Sequence, residues 1–296
     1  MNANVRLRDF LQTRRSQLQP ADVGLPTYGE RRRVPGLRRE ELALLAGVSA
    51  SYYTRLEQGQ SLNASTEVLD AIARALRLDE SERLHLHALA RSDEHRSRGS
   101  RRPAPERVTE AARQLLDALA DVPAVVVGRR SDVLAWNRLG HALFAGHLDP
   151  GAVDRSADRP NMARLVFLDA HTRELYADWP SKARAVVGSL RLTAGEHPDD
   201  AALHALVGEL TAKNAEFASM WADHRVTACT VAEYEMRHPL IGTLTVTQQT
   251  LSHGPGPTTV VATAAAGSPS RTALTLLGQA IAPATPVRPG SQVSTG

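Results

Sequence analysis

The 296-residue chain has a single cysteine, Cys229, which excludes an internal disulfide framework and any zinc site built on clustered thiolates. Lysine is almost missing. Lys182 and Lys213 stand against 33 arginines, a preference found in both halves of the chain and read as coding bias. Aromatic residues make up only 4%, so where the few large rings lie carries information. No apolar run approaches the roughly 18 residues of a membrane span. The basic start Met1–Phe10 also lacks the apolar stretch of a secretory signal. A cytoplasmic protein with no membrane partner is expected. A nucleophile elbow, a Walker-type phosphate loop and a His-Glu-x-x-His pair are all missing. The nine histidines from His95 onward are scattered, without clustered carboxylates. Accordingly no enzyme activity, metal site or cofactor is expected.

What is present is a core and a charge asymmetry. Apolar residues at 42% and charged residues at 23% suit a packed protein, and the length suits two domains. Residues 1–102 carry 18 arginines against 13 acidic residues, whereas the remainder carries 17 basic against 19 acidic. The net charge of +3 hides this division. A basic module coupled to a near-neutral one points to nucleic acid as a partner of the first.

The stretch Arg91–Arg107 is polar, with Gly99, Pro103 and Pro105, and reads as a linker. The expected organisation is a DNA-binding domain over 1–92, a linker over 93–107, a second domain over 108–280 and a disordered tail over 281–296. Helical spacing occupies Val5–Arg15, Arg38–Ala46, Ser49–Gln58, Thr66–Leu76 and Glu80–Ala90, so the first domain is all-α with about five helices. Beyond the linker, Val108–Leu119 is amphipathic and a hairpin follows, Ala124–Val127 with Val133–Trp136. Helical patterns then cover 137–145, 161–168, 172–193, 199–210 and 213–223, and strands return over 227–236, 241–249 and 258–264. The second domain is therefore expected to be α+β, an antiparallel sheet of about five strands with helices segregated to one side.

The sharpest local signal is Leu37–Gly59, LRREELALLAGVSASYYTRLEQG. Ala43 is small where a second helix crosses, and Gly47 suits a left-handed helix end. Val48 fills the space between the helices, Ser49 caps the second one, and Tyr53 and Leu56 face inward. Ala50, Ser51, Thr54, Arg55 and Gln58 are left facing outward, a small polar face suited to a major groove. The pattern resembles the phage-repressor-like helix-turn-helix family. That resemblance implies base contacts from Ala50, Ser51, Thr54 and Arg55, with Arg39 at the start of the preceding helix. Ser49 joins the same interface, and Arg55 is the candidate for a bidentate contact to guanine. Tyr52 has two readings, a phosphate contact or packing on the bundle. Arg31, Arg32 and Arg33 are candidates for phosphate contacts, and Glu57 is expected to be a structural ion-pair partner of one of these three arginines.

In the second domain most of the large aromatics gather as Trp136, Phe144, Phe167, Trp179, Phe217 and Trp221, with the polar Asn137, Asn161, Arg164 and His224 close to them in sequence. These ten residues are the candidate lining of an apolar pocket with sparse polar anchors. Cys229 is read as a small apolar strand residue.

Six stretches, VPGLRREELALLAGVSASYYTRLEQG, LDAIARALRLDESERLHLHALA, VLAWNRLGHALF, DWPSKARAVVGSLR, LVGELTAKNAEFASMWADHRV and HPLIGTLTV, resemble the MmyB-like transcription regulators. The resemblance covers about 30–280. It implies a PAS-like second domain holding a small apolar, fatty-acid-type ligand that modulates operator binding. The family commonly has Arg-Asn-Leu where this chain reads Pro160-Asn161-Met162, with Arg159 displaced by one position. Arg164 and His224 are then the alternatives for pairing with an acidic ligand, and a ligand that is not an acid is the remaining reading. The expected whole is a regulator that binds a double-stranded operator as a homodimer. A second domain that serves as a ligand-free protein-interaction module is the alternative.

Overall fold

The computed structural model describes residues 3–25, 36–60, 64–91, 106–223, 230–252 and 256–282. Arg31, Arg32, Arg33, His224 and Cys229 lie outside the described residues, as do 92–105 of the linker region and 283–296 of the expected tail.

Among the described residues, five α-helices and a short 3-10 turn (Pro20–Val23) form the first unit: α1 (Ala3–Gln17), α2 (Arg39–Leu45), α3 (Ala50–Glu57), α4 (Thr66–Ala75) and α5 (Glu80–Arg91). Their inward residues recur at helical spacing, with Leu7, Phe10 and Leu11 on α1 and Leu69, Ile72 and Ala73 on α4 packed around Tyr53 and Leu56 of α3. Helix starts are set by hydroxyl caps. Ser49 Oγ accepts from Tyr52 N at 3.1 Å, and Ser65 Oγ accepts from Val68 N at 3.4 Å. The turn between α2 and α3 uses Gly47 at φ +67°, a backbone region that a side chain would strain.

The second unit begins with α6 (Glu110–Ala118), then β1 (Ala124–Val127) and β2 (Val133–Trp136). Six helices follow: α7 (Arg138–Ala145), α8 (Met162–Leu168), α9 (Ala170–Leu175), α10 (Trp179–Glu196), α11 (Ala201–Lys213) and α12 (Ala215–Ala222). The chain then returns to the sheet as β3 (Val231–His238), β4 (Gly242–Ser252) and β5 (Thr258–Thr263), and α13 (Pro269–Ala280) ends the described fold. The five strands are antiparallel in the order β2-β1-β5-β4-β3. Alternation then sorts the side chains by face. Val125, Tyr234, Met236, Leu244, Val246 and Ala262 join the large core with α7 to α13. Ala124, Val126 and Val261 point the other way onto Leu116 of α6.

Three expectations are corrected by the structure. Helices do not all lie on one side of the sheet, because α6 covers the opposite face at β1 and β5. The helix expected over 172–193 is two helices, since Tyr176 leaves the helix to bridge Met236 of β3 and Ala177 N donates to Glu235 O at 3.0 Å. Helix α13 was not expected, although its start carries a cap: Ser268 Oγ accepts from Arg271 N at 3.1 Å, ahead of Pro269 in the first turn.

Candidate functional site

The first candidate surface is the outer side of α3. Tyr53, Leu56 and Glu57 are buried, which leaves Ala50, Ser51, Arg55 and Gln58 exposed and Thr54 half-buried. Among the described residues Arg55 makes no side-chain hydrogen bond or ion pair, so its guanidinium is available to a partner. Ser49 uses its hydroxyl oxygen as the α3 cap. Tyr52 is half-buried against the helical core, in keeping with its packing alternative.

Beneath that face lies an ion triad around the buried Glu57, whose partners among the described residues are Arg15 and the half-exposed Arg39. Arg15 donates to both carboxylate oxygens of Glu57, Nε at 3.0 Å and Nη2 at 2.9 Å, and Nη1 binds Leu37 O at 2.6 Å. Arg39 adds Nε at 3.1 Å and Nη2 at 3.0 Å to the same carboxylate. Burial alone would raise the Glu57 pKa, but the two guanidiniums override it and hold the carboxyl below its ordinary value. Arg39 is thus committed to Glu57 at the edge of the face, and the triad fixes α1, α2 and α3 to one another.

The second candidate is a cavity of about 900 Å³ in the other domain. Its floor is the inner sheet face: Val125 and Val127 of β1, Thr258 and Val260 of β5, Gln248 and Thr250 of β4, Ala232 and Tyr234 of β3. Its roof is α10, which contributes Lys182, Ala185, Val186, Ser189, Leu192, Thr193 and Glu196. Lys182 and Glu196 stand about 21 Å apart along the helix axis at 1.5 Å per residue, so the space is long. The Glu196 and His197 end is exposed, whereas Lys182 sits among buried Tyr176, Tyr234 and Gln248.

The two ends differ in charge. Near the exposed end Arg129 is matched: its backbone N–H donates to Glu106 Oε2 at 3.0 Å, and its Nε reaches Asp200 Oδ2 at 3.4 Å. At the inner end, Lys182 Nζ donates to Gln248 Oε1 at 2.7 Å and lies 5.2 and 5.1 Å from the ring centres of Tyr176 and Tyr234. Gln248 Nε2 in turn donates to the Tyr176 hydroxyl at 3.2 Å. No carboxylate pairs with Lys182 among the described residues. It also occupies the first turn of α10, where the positive end of the helix dipole adds to its own charge. This arrangement can bind an anion at the inner end of an apolar channel.

Of the nine described residues among the ten expected from the sequence, only Phe144 lines this cavity. Phe167, Trp179, Phe217 and Trp221 instead pack on one another behind α10, with ring centres 4.9 to 5.7 Å apart. Trp179 Nε1 donates to Val166 O at 2.7 Å, and Arg191 covers the Trp221 ring at 4.6 Å. Burial pushes the Arg191 pKa down to about 10 against the opposing pull of Asp223. Trp136 donates to Pro150 O at 3.0 Å. Asn137 is fully used as a bracket, accepting from Gly140 N and Ala124 N and donating to Leu119 O and Val122 O. Asn161 caps α8 and donates to Arg130 O and Asp132 Oδ1. Arg164 pairs on the surface with Glu209 at 2.8 Å, and Arg159 donates to Val153 O at 3.0 Å. The aromatic cluster is core, and its described polar anchors, Asn137, Asn161 and Arg164, are held in structural contacts.

Lys182, Tyr176, Tyr234 and Gln248 escaped the sequence reading. One signal for Lys182 was present, because a lysine in a chain that otherwise uses arginine breaks the coding bias. Among the described residues there is no cluster of three or more potential metal ligands, and no helix is long and apolar enough to cross a membrane.

Comparison with protein families adds two matches. The model described as the MmyB-like transcription regulator ligand binding domain matches residues 108–277, and a helix-turn-helix domain model matches residues 6–86. Comparison with curated proteins returns no match. With a helix-turn-helix unit ahead of a ligand-binding domain that spans more than half its length, the chain belongs to the MmyB-like transcription regulators.

Proposed function

We propose that the protein binds a specific operator through the outer face of α3, and that an elongated, acidic apolar effector of the fatty-acid type tunes this binding from the cavity under α10. The observation that carries the effector class is Lys182. An ammonium with no carboxylate partner closes the inner end of an apolar channel, a setting in which a ligand carboxylate gains a charge-assisted hydrogen bond. The channel then takes the aliphatic chain toward Glu196 and His197. A cavity of about 900 Å³ also disfavours the reading of this domain as a ligand-free interaction module.

On DNA, α3 enters the major groove with Arg55 on a guanine edge and the Ala50 methyl against thymine, while Ser49, Ser51 and Thr54 supply short polar contacts. Arg31, Arg32 and Arg33 are assigned to phosphates. Two copies on one operator, with recognition helices about 34 Å apart, give a two-fold site.

Mass spectrometry of an organic extract of the purified full chain, followed by calorimetric titration with hexadecanoic acid, tests the effector. A recurrent long-chain acid and saturable one-site binding are expected. Lipid-free extracts together with no heat of binding would reject it and restore the interaction-module alternative. Selection from random duplexes tests the DNA reading. A two-fold-symmetric consensus is expected, and the absence of enrichment would reject it.

A further inference from the structure

The roof of the cavity is also the contact to the DNA-binding unit. Leu192 of α10 lines the cavity and packs against the helical core that contains α3. One turn further on, Gly195 lies so close to α5 that a Cβ there would meet the His85 ring at 2.8 Å (Nδ1) and 2.9 Å (Cε1). The ring has no room to retreat, since His85 is buried and sits edge-on to Phe10 of α1 with ring centres 5.3 Å apart. Phe10 shares α1 with Arg15, whose guanidinium grips Glu57 at the end of α3. Gln17 of α1 closes the other side of this seam, donating to Asp223 Oδ1 at 2.9 Å, just past α12.

We infer that α10 couples the two sites: occupancy of the cavity shifts α10 against α5 at Leu192 and Gly195, and the packed set His85, Phe10 and Arg15–Glu57 carries the shift to α3. The physical reason is that close-packed contacts cannot absorb a displacement individually. A ligand that moves Leu192 changes a contact that belongs to both domains. The inference rests on the cavity being the effector site and adds the route by which occupancy reaches DNA.

The test uses the full chain, hexadecanoic acid and an operator fragment selected with the purified protein. Hexadecanoate is expected to change amide hydrogen exchange in α5 and α1 and to shift operator affinity about 5- to 150-fold, the usual range for coupled sites. By reciprocity the operator must shift hexadecanoate affinity by the same factor. Gly195→Ala, which touches the seam without lining the cavity, is expected to keep hexadecanoate binding and reduce that factor below about twofold. Hexadecanoate binding with unchanged exchange in α5 would overturn the coupling while leaving the cavity assignment intact. An undiminished factor in a folded Gly195→Ala chain would also overturn it, and no hexadecanoate binding at all would overturn both. Should Gly195→Ala fail to fold, exchange in the unmodified protein decides the matter alone.

Discussion

Replacing Lys182 with methionine keeps the stem of the side chain and removes its charge, which isolates the proposed head-group contact. In the structure Nζ is held by Gln248 Oε1 at 2.7 Å and by two tyrosine faces, so it is already oriented toward the channel. A hydrogen bond to a charged partner contributes about 1.5–3 kcal/mol. At roughly 1.4 kcal/mol per tenfold, Lys182→Met should weaken hexadecanoate binding about 10- to 150-fold. Methyl hexadecanoate has the same chain and no charge, so its affinity should change by less than about threefold. Lys182→Arg should recover part of the loss because the charge returns with different geometry. Competitive displacement of a fluorescent long-chain probe measures all six combinations of protein and ligand, with thermal unfolding as a check that Gln248 has not disturbed the sheet. Equal weakening of acid and ester would refute the ion-pair reasoning, and so would an unaffected acid.

Three further outcomes follow from the same geometry. Glu57→Gln leaves Arg15 buried without its counter-charge and should cost the helical domain about 3–5 kcal/mol. Far-UV circular dichroism should report this, while the fluorescence of Trp136, Trp179 and Trp221 follows the other domain; a loss under about 1 kcal/mol would contradict it. Since the Glu57 pKa is held below its unfolded value, the triad's contribution is present above about pH 4.3 and is lost as pH falls through the folded pKa. The acid-side loss of helix stability should therefore flatten in Glu57→Gln. Arg55→Ala should cost about 1–3 kcal/mol of discrimination at one operator position, read by binding to single-base variants of the selected site. Unchanged preference would remove Arg55 from base recognition. Asn137→Ala removes a cap and strands backbone groups of β1 and the loop before it. It should destabilise the second domain by about 2–4 kcal/mol in thermal melts, and near-neutrality would show that the bracket is dispensable.

The helix-turn-helix was legible because its constraints are local. A left-handed glycine, a hydroxyl cap and two inward side chains fall within a dozen residues, and Gly47, Ser49, Tyr53 and Leu56 each sit where that logic puts them. Strands β1 and β2 were readable for the same reason, as short apolar runs around a turn. The cavity was not legible, because its lining alternates along four strands that meet only through sheet pairing: Val125 opposite Val260, Val260 opposite Thr250, and Gln248 opposite Ala232. No sequence spacing brings Tyr176, Lys182, Tyr234 and Gln248 together. The aromatic residues misled for a related reason. In a chain with so few of them, the fold places Phe167, Trp179, Phe217 and Trp221 where packing needs volume, behind α10, and lines the channel largely with Val, Ala and Thr beside Phe144, Tyr176 and Tyr234.

α10 accounts for both the missed site and the proposed coupling. Trp179 and Arg191 face the aromatic core, Lys182, Val186, Ser189 and Thr193 face the channel, and Leu192 and Gly195 meet the DNA-binding unit. A helix with partners on three sides shows no single apolar stripe, so its sequence, WPSKARAVVGSLRLTAGE, hides which residue serves which neighbour. Pro180, Arg184, Ser189 and Glu196 of α10 are exposed, and the helix is packed firmly toward the aromatic core and toward α5. A displacement is then felt by the core and by α5. The α5 seam is a close contact of α10, with Gly195 set against the His85 ring and Ala88, and Leu192 against the helical core. A ligand that displaces α10 in the channel therefore acts directly on this seam, which has no slack at Gly195.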